Sequence, residues 1–229
     1  MKNPQNRAAF TLLELLVVMG LIGALSLLVT AGLAHGGKSA AMQSAQTLMA
    51  NMVGAARAQA VASGQSCRVL IQVDPTSASE PSRYLRYVVL QADRSTGWQT
   101  IADFFLPDEI YVVPGNFSAL PAGLFATGGT EPWTKVDGSD LRSTALRSNQ
   151  LTAETINGAV AETWVAITFS PYGGTVQSGD LVLTSGRRRP PGSFATGEAP
   201  IELLNAGNVR GLTLSAYGVP ALVNTRTSF

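Results

Sequence analysis

An uninterrupted apolar segment dominates the first part of the chain. Residues Leu15–Ala34 form a run of twenty positions without a charged side chain. A helix of that length spans about 30 Å, which is the thickness of the hydrocarbon core of a bilayer. The pattern therefore predicts a helix that can cross a membrane.

Past this run, apolar and small residues recur at three- and four-residue spacing. This period is typical of an amphipathic helix that packs one face on a core. The stripe consists of Ala41, Ala45, Leu48, Met49, Met52, Val53, Ala56 and Ala60. Ser63 and Gly64 interrupt the pattern. One long helix, with an apolar half and an amphipathic half, is therefore predicted over residues 10–64.

After residue 65 the pattern changes. Short runs rich in β-branched residues are separated by Gly, Pro and Ser residues, which are typical of turns. Strands are predicted at Cys67–Val73, Tyr84–Ala92, Trp98–Phe105, Ile110–Val113, Trp164–Ser170, Thr175–Thr184, Val209–Ala216 and Ala221–Val223. Between Pro114 and Thr163 the periodicity weakens, which indicates a long surface insertion with one short helix near Leu141–Leu146. The expected fold class is α+β, with the long N-terminal helix packed on an antiparallel β-rich head at residues 65–229.

Composition and charge narrow the possible classes of function. Hydrophobic residues make up 45% of the chain and charged residues 14%, a balance too apolar for a disordered protein. The formal net charge of +1 provides no global field that would attract nucleic acid or anionic lipid. The single cysteine, Cys67, excludes an intramolecular disulfide and a multi-cysteine zinc site.

The residues in front of the apolar run carry charges of both signs. Lys2 and Arg7 lie in a polar leader, Met1–Ala9, and favour retention of that end in the cytoplasm. Glu14 stands at the entrance of the apolar run. A carboxylate there costs about 2–3 kcal/mol if it is buried in lipid, so Glu14 requires a positively charged partner.

The segment Ala9-Phe10-Thr11-Leu12-Leu13-Glu14-Leu15-Leu16-Val17-Val18 resembles the processing and methylation motif of type IV prepilins and type II secretion pseudopilins. The resemblance implies that a prepilin peptidase cuts between Ala9 and Phe10 and methylates the new N terminus. It also implies that Glu14 pairs with the N-terminal amine of a neighbouring subunit. The family usually has glycine at the position of Ala9. Alanine departs from that pattern but keeps the residue before the cut small.

A second resemblance concerns the head. The order of long helix, hairpins, Phe169-Ser170-Pro171-Tyr172-Gly173 and a closing Leu212-Thr213-Leu214-Ser215-Ala216-Tyr217-Gly218 is similar to minor pseudopilins of the H or FimT type. This implies a minor pseudopilin or minor pilin in the bacterial inner membrane, with a single pass and the head in the periplasm or outside. The implied partners are other pilins or pseudopilins, prepilin peptidase, membrane lipid and an inner-membrane assembly platform with a cytoplasmic ATPase.

The sequence offers little for catalysis. The only histidine, His35, stands where the apolar segment should leave the membrane, and Cys67 is better read as a small apolar residue of the first strand. The acidic residues Asp108, Glu109, Asp137, Asp140 and Asp180 have no recognisable metal-ligand or paired-carboxylate spacing. We therefore expect a non-enzyme, without a catalytic, cofactor or metal site.

One cationic cluster remains, Arg187-Arg188-Arg189, followed by Pro190-Pro191-Gly192. It could be a solvated hairpin loop, or it could contact phosphates, lipid headgroups or an acidic partner. Nucleic acid is not an expected partner, because aromatic and basic residues do not interleave as in a platform for single strands. No phosphate-binding loop motif is present, so another protein would have to supply the energy of assembly.

Two alternatives stay open. In the first, the chain is a major pilin subunit, which the sequence separates poorly from a minor one. In the second, it is an exported soluble binding protein or enzyme with an ordinary signal peptide, for which Ala31–Ala34 provides small residues near a cleavage region. That reading predicts a mature start near residue 35, and Glu14 argues against it.

Overall fold

The fold comes from a computed structural model that describes residues 12–76, 82–115, 120–126, 133–157 and 160–229, with side chains described from residue 38 onward. The chain divides into two compact units, Met1–Ala40 and Ala41–Phe229. The first unit contains the beginning of helix α1, Leu12–Ser63. All side-chain contacts below belong to the second unit.

Helix α1 ends at Ser63, and Gly64 follows with a φ of +65°. This left-handed conformation is a common way to terminate a helix, and glycine adopts it without steric cost. The predicted stripe forms the buried face of the helix, with Met42 in addition and Leu48 as the exception. The fully or almost fully buried members are Met42, Ala45, Met49, Met52, Val53, Ala56 and Ala60. The amphipathic half is therefore packed on the head, as predicted.

Ten strands follow the helix. They are β1 Cys67–Gln72, β2 Tyr87–Arg94, β3 Gly97–Phe105, β4 Ile110–Val112, β5 Leu151–Glu154, β6 Glu162–Phe169, β7 Gly179–Arg188, β8 Ile201–Leu203, β9 Val209–Leu214 and β10 Pro220–Val223. Short 3₁₀ helices lie at Ser148–Gln150 and Arg226–Ser228. These counts refer to the described ranges.

The strands form two five-stranded assemblies. The first sheet has the order β3-β2-β1-β6-β5, and the second has the order β10-β9-β7-β4 with β8 paired to β7. Every ladder between these strands is antiparallel. The expected α+β class, a long helix followed by an antiparallel β-rich head, is confirmed.

Alternation along the strands divides the core into two clusters. Cys67, Val69 and Ile71 of β1 lie in the main cluster with the α1 stripe and residues of the second sheet. Leu70, from the same strand, faces the other way and joins a small cluster with Tyr87 and Trp164. The buried position of Cys67 agrees with its reading as a small apolar residue of the first strand.

The predicted helix near Leu141–Leu146 is wrong, because this segment is irregular backbone followed by a turn. Buried Ser143 explains the conformation. Its hydroxyl donates to the Val113 carbonyl and accepts a hydrogen bond from the Val182 amide at 2.9 Å. A side chain that satisfies two neighbouring segments in this way anchors the loop outside any helix. The predicted surface insertion between Pro114 and Thr163 also contains β5, an edge strand. It was not predicted, because the periodicity of this segment is weak.

The strand predicted at Thr175–Thr184 begins only at Gly179. Local side-chain bonding precedes it: Thr175 Oγ1 donates to Gln177 Oε1 at 2.7 Å, and the same oxygen atom of Gln177 accepts from the Thr168 amide at 3.1 Å. Hydroxyl and amide side chains that bond to nearby groups compete with a ladder. The first residues of the predicted strand therefore form a connection.

Candidate assembly segment and head surfaces

The residues predicted for processing and assembly fall at the edge of what the structure describes. Ala9 and Phe10 lie outside the described residues, and Glu14 lies in α1 with its side chain outside the described set. The same holds for the predicted membrane segment Leu15–Ala34. In the part of the chain whose side chains are described, no helix is long and apolar enough to cross a bilayer.

A buried amide ties α1 to the second sheet. Gln46 lies on the apolar face of the helix and is 2% exposed. Its Nε2 donates to the Gly211 carbonyl of β9 at 2.8 Å and to the Val223 carbonyl of β10 at 2.9 Å. Both N–H groups of the amide are therefore used. This contact fixes the helix against the C-terminal hairpin β9–β10.

Two turns meet near the C-terminal end of α1. In the first, the Gly173 amide donates to the Ser170 carbonyl at 2.8 Å, and in the second the Gly218 amide donates to the Ser215 carbonyl at 2.9 Å. A Cβ atom at Gly218 would collide with the Gly173 carbonyl oxygen. The two glycine-containing segments noted in the sequence, far apart along the chain, are therefore in contact.

The helix takes part in this contact. Arg57 Nε donates to the Tyr217 carbonyl at 3.0 Å, and a Cβ at Gly173 would lie 2.9 Å from a methyl group of Val61. At the tips of the turns, Tyr172 is 94% exposed and Tyr217 is 79% exposed. The structure thus builds a local surface that presents two tyrosine side chains to solvent.

The face of the first sheet that points away from α1 carries arginines and aromatic rings. Arg83 forms a buried ion pair with Glu162, at 3.1 Å, and lies over the Tyr87 ring at 4.6 Å. The Tyr87 hydroxyl donates to Asp103 at 2.5 Å and accepts from Asn157 at 2.8 Å. Burial and the bond to Asp103 raise the pKa of Tyr87.

A second arginine extends this arrangement along the sheet. Arg68 pairs with Glu154 at 2.5 Å, donates to Gln91 at 2.9 Å and lies over the Trp98 ring at 4.2 Å. Each of these cations has a carboxylate partner. Among the described residues of this sheet face, Arg68 and Arg83 are therefore both paired and offer no unpaired charge to an anionic ligand.

Two of the three arginines of the cationic run at the end of β7 form ion pairs with nearby glutamates. Arg187 pairs with Glu202 at 2.7 Å, and Arg189 pairs with Glu198 at 3.0 Å and lies over the Phe194 ring at 5.3 Å. Arg188 is exposed and makes no ion pair within the described residues. These contacts favour the interpretation as a solvated hairpin loop over a phosphate-binding patch.

The acidic candidates are scattered. Asp108 pairs with Arg86 at 2.7 Å, and Asp180 lies 3.7 Å from Lys135. Asp137 accepts hydrogen bonds from the hydroxyl and amide of Ser139, which lower its carboxyl pKa. Among the described residues, no three His, Cys, Asp or Glu side chains come together in a way that could hold a metal ion.

A cavity of about 600 Å³ lies beside the C-terminal residues. Lys135, Arg226 and Phe229 contribute to its wall. Arg226 donates to the Thr134 carbonyl at 2.5 Å, and the Phe229 ring packs close to Gly211. The hydrogen bond of Arg226 and the packing of the Phe229 ring therefore hold the C-terminal segment on the head.

Comparison with known proteins places the informative similarity at the N terminus. Residues 4–30 match the family of the prokaryotic N-terminal methylation motif. Two solved structures of the minor pseudopilin EpsH from the type II secretion system of Vibrio cholerae align at 16% and 15% identity. The alignments cover 82% and 81% of this chain and 96% of each of those chains, with TM-scores of 0.38 and 0.39. No curated relative matches the chain.

The motif match confirms the resemblance read from residues 9–18. The chain carries a prokaryotic N-terminal methylation motif, and its apolar run begins within the matched segment. Sequence reasoning missed the contacts of Gln46 and the meeting of the two glycine turns. Gln46 gave a weak signal, as a polar residue between Ala45 and Met49 on a stripe of apolar positions, whereas the turn contact depends on tertiary structure.

Proposed function

We propose that this chain is a minor pseudopilin or minor pilin, a structural subunit of a type II secretion or type IV pilus filament. The observation that carries the proposal is the methylation motif at residues 4–30, which overlaps an apolar run of membrane-spanning length and precedes an α+β head. Neither the motif nor the head requires a bond-making step by this protein. Its role is to assemble.

In this proposal the leader is residues 1–9, the assembly helix is residues 10–64 and the head is residues 65–229. Prepilin peptidase hydrolyses the amide bond between Ala9 and Phe10 and methylates the new amine. The apolar helix then stays with the mature protein and anchors it in the inner membrane, with the head on the outer side. The charge distribution agrees, since Lys2 and Arg7 favour a cytoplasmic leader.

Assembly then depends on helix burial and on one charge. The apolar helix packs among neighbouring helices, where Gly20, Gly23 and Ala24 permit close approach. Glu14 meets the N-terminal amine of an adjacent subunit, because a carboxylate in a medium of low dielectric constant is tolerated chiefly when it is paired. Other pilins or pseudopilins, an inner-membrane platform and its cytoplasmic ATPase are the partners that this mode of assembly requires.

The deciding experiment is mass spectrometry of the N-terminal peptide of the mature protein. The protein is isolated from the membrane fraction of cells that contain the native prepilin peptidase, and cells without the peptidase serve as the control. A methylated Phe10 at the N terminus is expected in the first strain and the intact leader in the second. A mature start near residue 35 in both strains would contradict the proposal and indicate an exported soluble protein.

A further inference from the structure

The end of the head at the C-terminus of α1 forms a polar cleft. Residues 64–66 after the helix, residues 93–95 at the end of β2, and Pro171 line a cleft of about 380 Å³. The Asp93 amide donates to the Ser66 carbonyl at 2.9 Å, which holds the two connections together. Pro171 belongs to the turn that contacts Gly218. The cleft therefore adjoins the first tyrosine-bearing turn, which contacts the second, and we call the cleft and the two turns together the turn surface.

Several polar groups in the cleft have hydrogen-bonding capacity that no described residue uses. Arg94 donates to the Gln65 side-chain oxygen at 3.3 Å, which leaves the other N–H groups of both side chains available. Within the described residues, the Asp93 carboxylate and the hydroxyl of Ser95 make no hydrogen bond. The cleft thus offers donors and acceptors side by side on a small surface, with one positive and one negative charge.

The adjoining turns provide flat aromatic faces. Tyr172 and Tyr217 are 94% and 79% exposed, and each lies next to one of the two glycines in contact. A single exposed apolar side chain is ordinary, but two exposed aromatic side chains on turns that touch are a less common arrangement. A tyrosine ring combines an apolar face with a polar hydroxyl, which suits a ligand that is itself amphipathic.

The chemistry of the turn surface discriminates between classes of ligand. A dry apolar partner would leave the uncommitted groups of Asp93, Arg94 and Ser95 without hydrogen bonds, which is unfavourable. A phosphate would be repelled by the negative charge of the Asp93 carboxylate. A sugar has hydroxyl groups that donate and accept, as well as C–H faces that pack on tyrosine rings. The cleft volume lies in the range of small-ligand sites.

We propose that the turn surface is a binding site for a neutral oligosaccharide. The sugar rings pack on Tyr172 and Tyr217, and hydroxyl groups of one ring reach Asp93, Arg94 and Gln65 in the cleft. Arg57, held by the Tyr217 carbonyl, keeps the second turn against the helix. The site requires only residues of the second compact unit, Ala41–Phe229, and is independent of the proposed role in a filament.

The test uses the full chain in a detergent without a sugar headgroup, since such a headgroup would compete. Chitotetraose, cellotetraose and maltotetraose are titrated, with saturation-transfer NMR and tyrosine fluorescence as readouts. We expect saturable binding of at least one of them, with a Kd on the order of 1 mM or lower. The double variant Tyr172→Ala, Tyr217→Ala should bind about tenfold more weakly.

Three control variants separate recognition from loss of folding. The double variant Tyr172→Phe, Tyr217→Phe keeps the ring faces and should retain binding, whereas Asp93→Ala should weaken it. Val136→Ala changes an equally exposed apolar residue outside the turn surface and should leave the affinity unchanged. Circular dichroism verifies the fold of each variant.

Three outcomes would overturn the proposal. The first is the absence of saturable binding by all three oligosaccharides up to about 20 mM. The second is wild-type affinity in the double alanine variant with intact circular dichroism. The third is salt-dependent binding of an oligothymidine at Tyr172 and Tyr217 without binding of any sugar, which would assign the surface to a nucleic acid.

Discussion

Gln46 is a polar residue on the face of α1 that packs against the sheets. The amide donates to carbonyls of β9 and β10, at 2.8 and 2.9 Å, and is almost fully buried. Gln46→Leu keeps a similar volume but removes both donors. We expect the free energy of unfolding to fall by about 1–3 kcal/mol, because buried carbonyl groups lose hydrogen bonds. Urea unfolding of the full chain in micelles measures the change.

The matched control is Gln43→Leu, since Gln43 lies one turn earlier on the same helix and is exposed. This variant should leave the midpoint of unfolding within about 0.5 kcal/mol of the original protein. If both variants had the same effect, the two carbonyl contacts of Gln46 would not contribute to stability.

Tyr84 gives a prediction on pH. Burial, and then the nearby negative charge of Asp74, raise the pKa of its phenol well above the ordinary value. In the unfolded chain the phenol ionises near pH 10. Above that pH the unfolded state binds fewer protons than the native state, so the free energy of unfolding falls as pH rises. Below it, Tyr84 contributes no pH dependence.

The test compares urea unfolding of the original chain and of Tyr84→Phe at neutral pH and at increasing pH above 10. The Tyr84 hydroxyl makes no hydrogen bond within the described residues, so the variant should be nearly as stable at neutral pH. Its alkaline decline should be shallower, although Tyr87 and Tyr111 also have raised pKa values and sustain part of it. An equally steep decline in the variant would show that Tyr84 does not control this range.

Residue type alone predicted some of these roles. Cys67 lies on the same face of a strand as the apolar residues Val69 and Ile71, and its burial follows from that pattern. The pairing of Arg83 with Glu162 joins residues 79 positions apart, so no local pattern contains it. Gln46 likewise reaches carbonyls that are 165 and 177 positions away. Such contacts depend on the register of strands, which periodicity does not define.

The two glycine turns matter at the level of elements. Gly218 has a φ of +72°, and a Cβ there would meet the Gly173 carbonyl and the Phe169 ring. Gly218→Ala therefore combines backbone strain with a collision between turns. We expect a loss of about 2–4 kcal/mol in the free energy of unfolding, of which about 1–2 kcal/mol comes from the left-handed conformation.

Gly197→Ala separates the two contributions. Gly197 also has a positive φ, +92°, but no atom outside its chain neighbours lies within 4 Å of its ideal Cβ position. This variant should lose only the strain energy, about 1–2 kcal/mol, in the same urea titration. Equal losses in the two variants would mean that contact between the turns is unimportant.

Elements with strong periodicity were predictable, and those without it were not. The α1 stripe is buried at a helical period, and β1 and β6 are buried runs rich in apolar and β-branched residues; both kinds of burial leave a pattern in the sequence. β5 and β8 contain four and three residues, and neither has the run of β-branched and aromatic residues that revealed the equally short β4. The supposed helix near Leu141–Leu146 failed because Ser143 bonds to two other segments, an interaction that helix propensity does not include.

At the scale of the whole molecule, the N-terminal motif and the turn surface of the head support separate proposals. The motif at residues 4–30 supports the proposed processing and assembly of the chain, and it could be read from sequence because the residues that carry it are contiguous. The turn surface indicates what the head could bind, and it combines residues from four connections of the fold. A contiguous motif survives in the sequence, whereas a surface built by tertiary contacts becomes visible only when the chain is folded.

Glu14 connects the proposed assembly to a single charge. If Glu14 pairs with the amine of a neighbouring subunit, Glu14→Ala leaves that amine unpaired in an apolar environment. Removal of one partner from a buried pair costs about 3–5 kcal/mol, which is more than a hundredfold in an association constant. The variant should still insert in the membrane and keep a folded head, because neither depends on the carboxylate. Incorporation into the filament should fail.

Crosslinking in cells to other pilin-type subunits, with the membrane fraction as the reference, measures incorporation. Glu14→Asp keeps the charge on a shorter side chain and should restore part of it. Leu16→Ala removes apolar surface nearby but no charge, and it should have a much smaller effect, since one truncated aliphatic side chain does not leave an unpaired ion. Normal crosslinking of Glu14→Ala would remove the charge pair from the mechanism, because the remaining apolar helix would then be sufficient to bring the subunits into register.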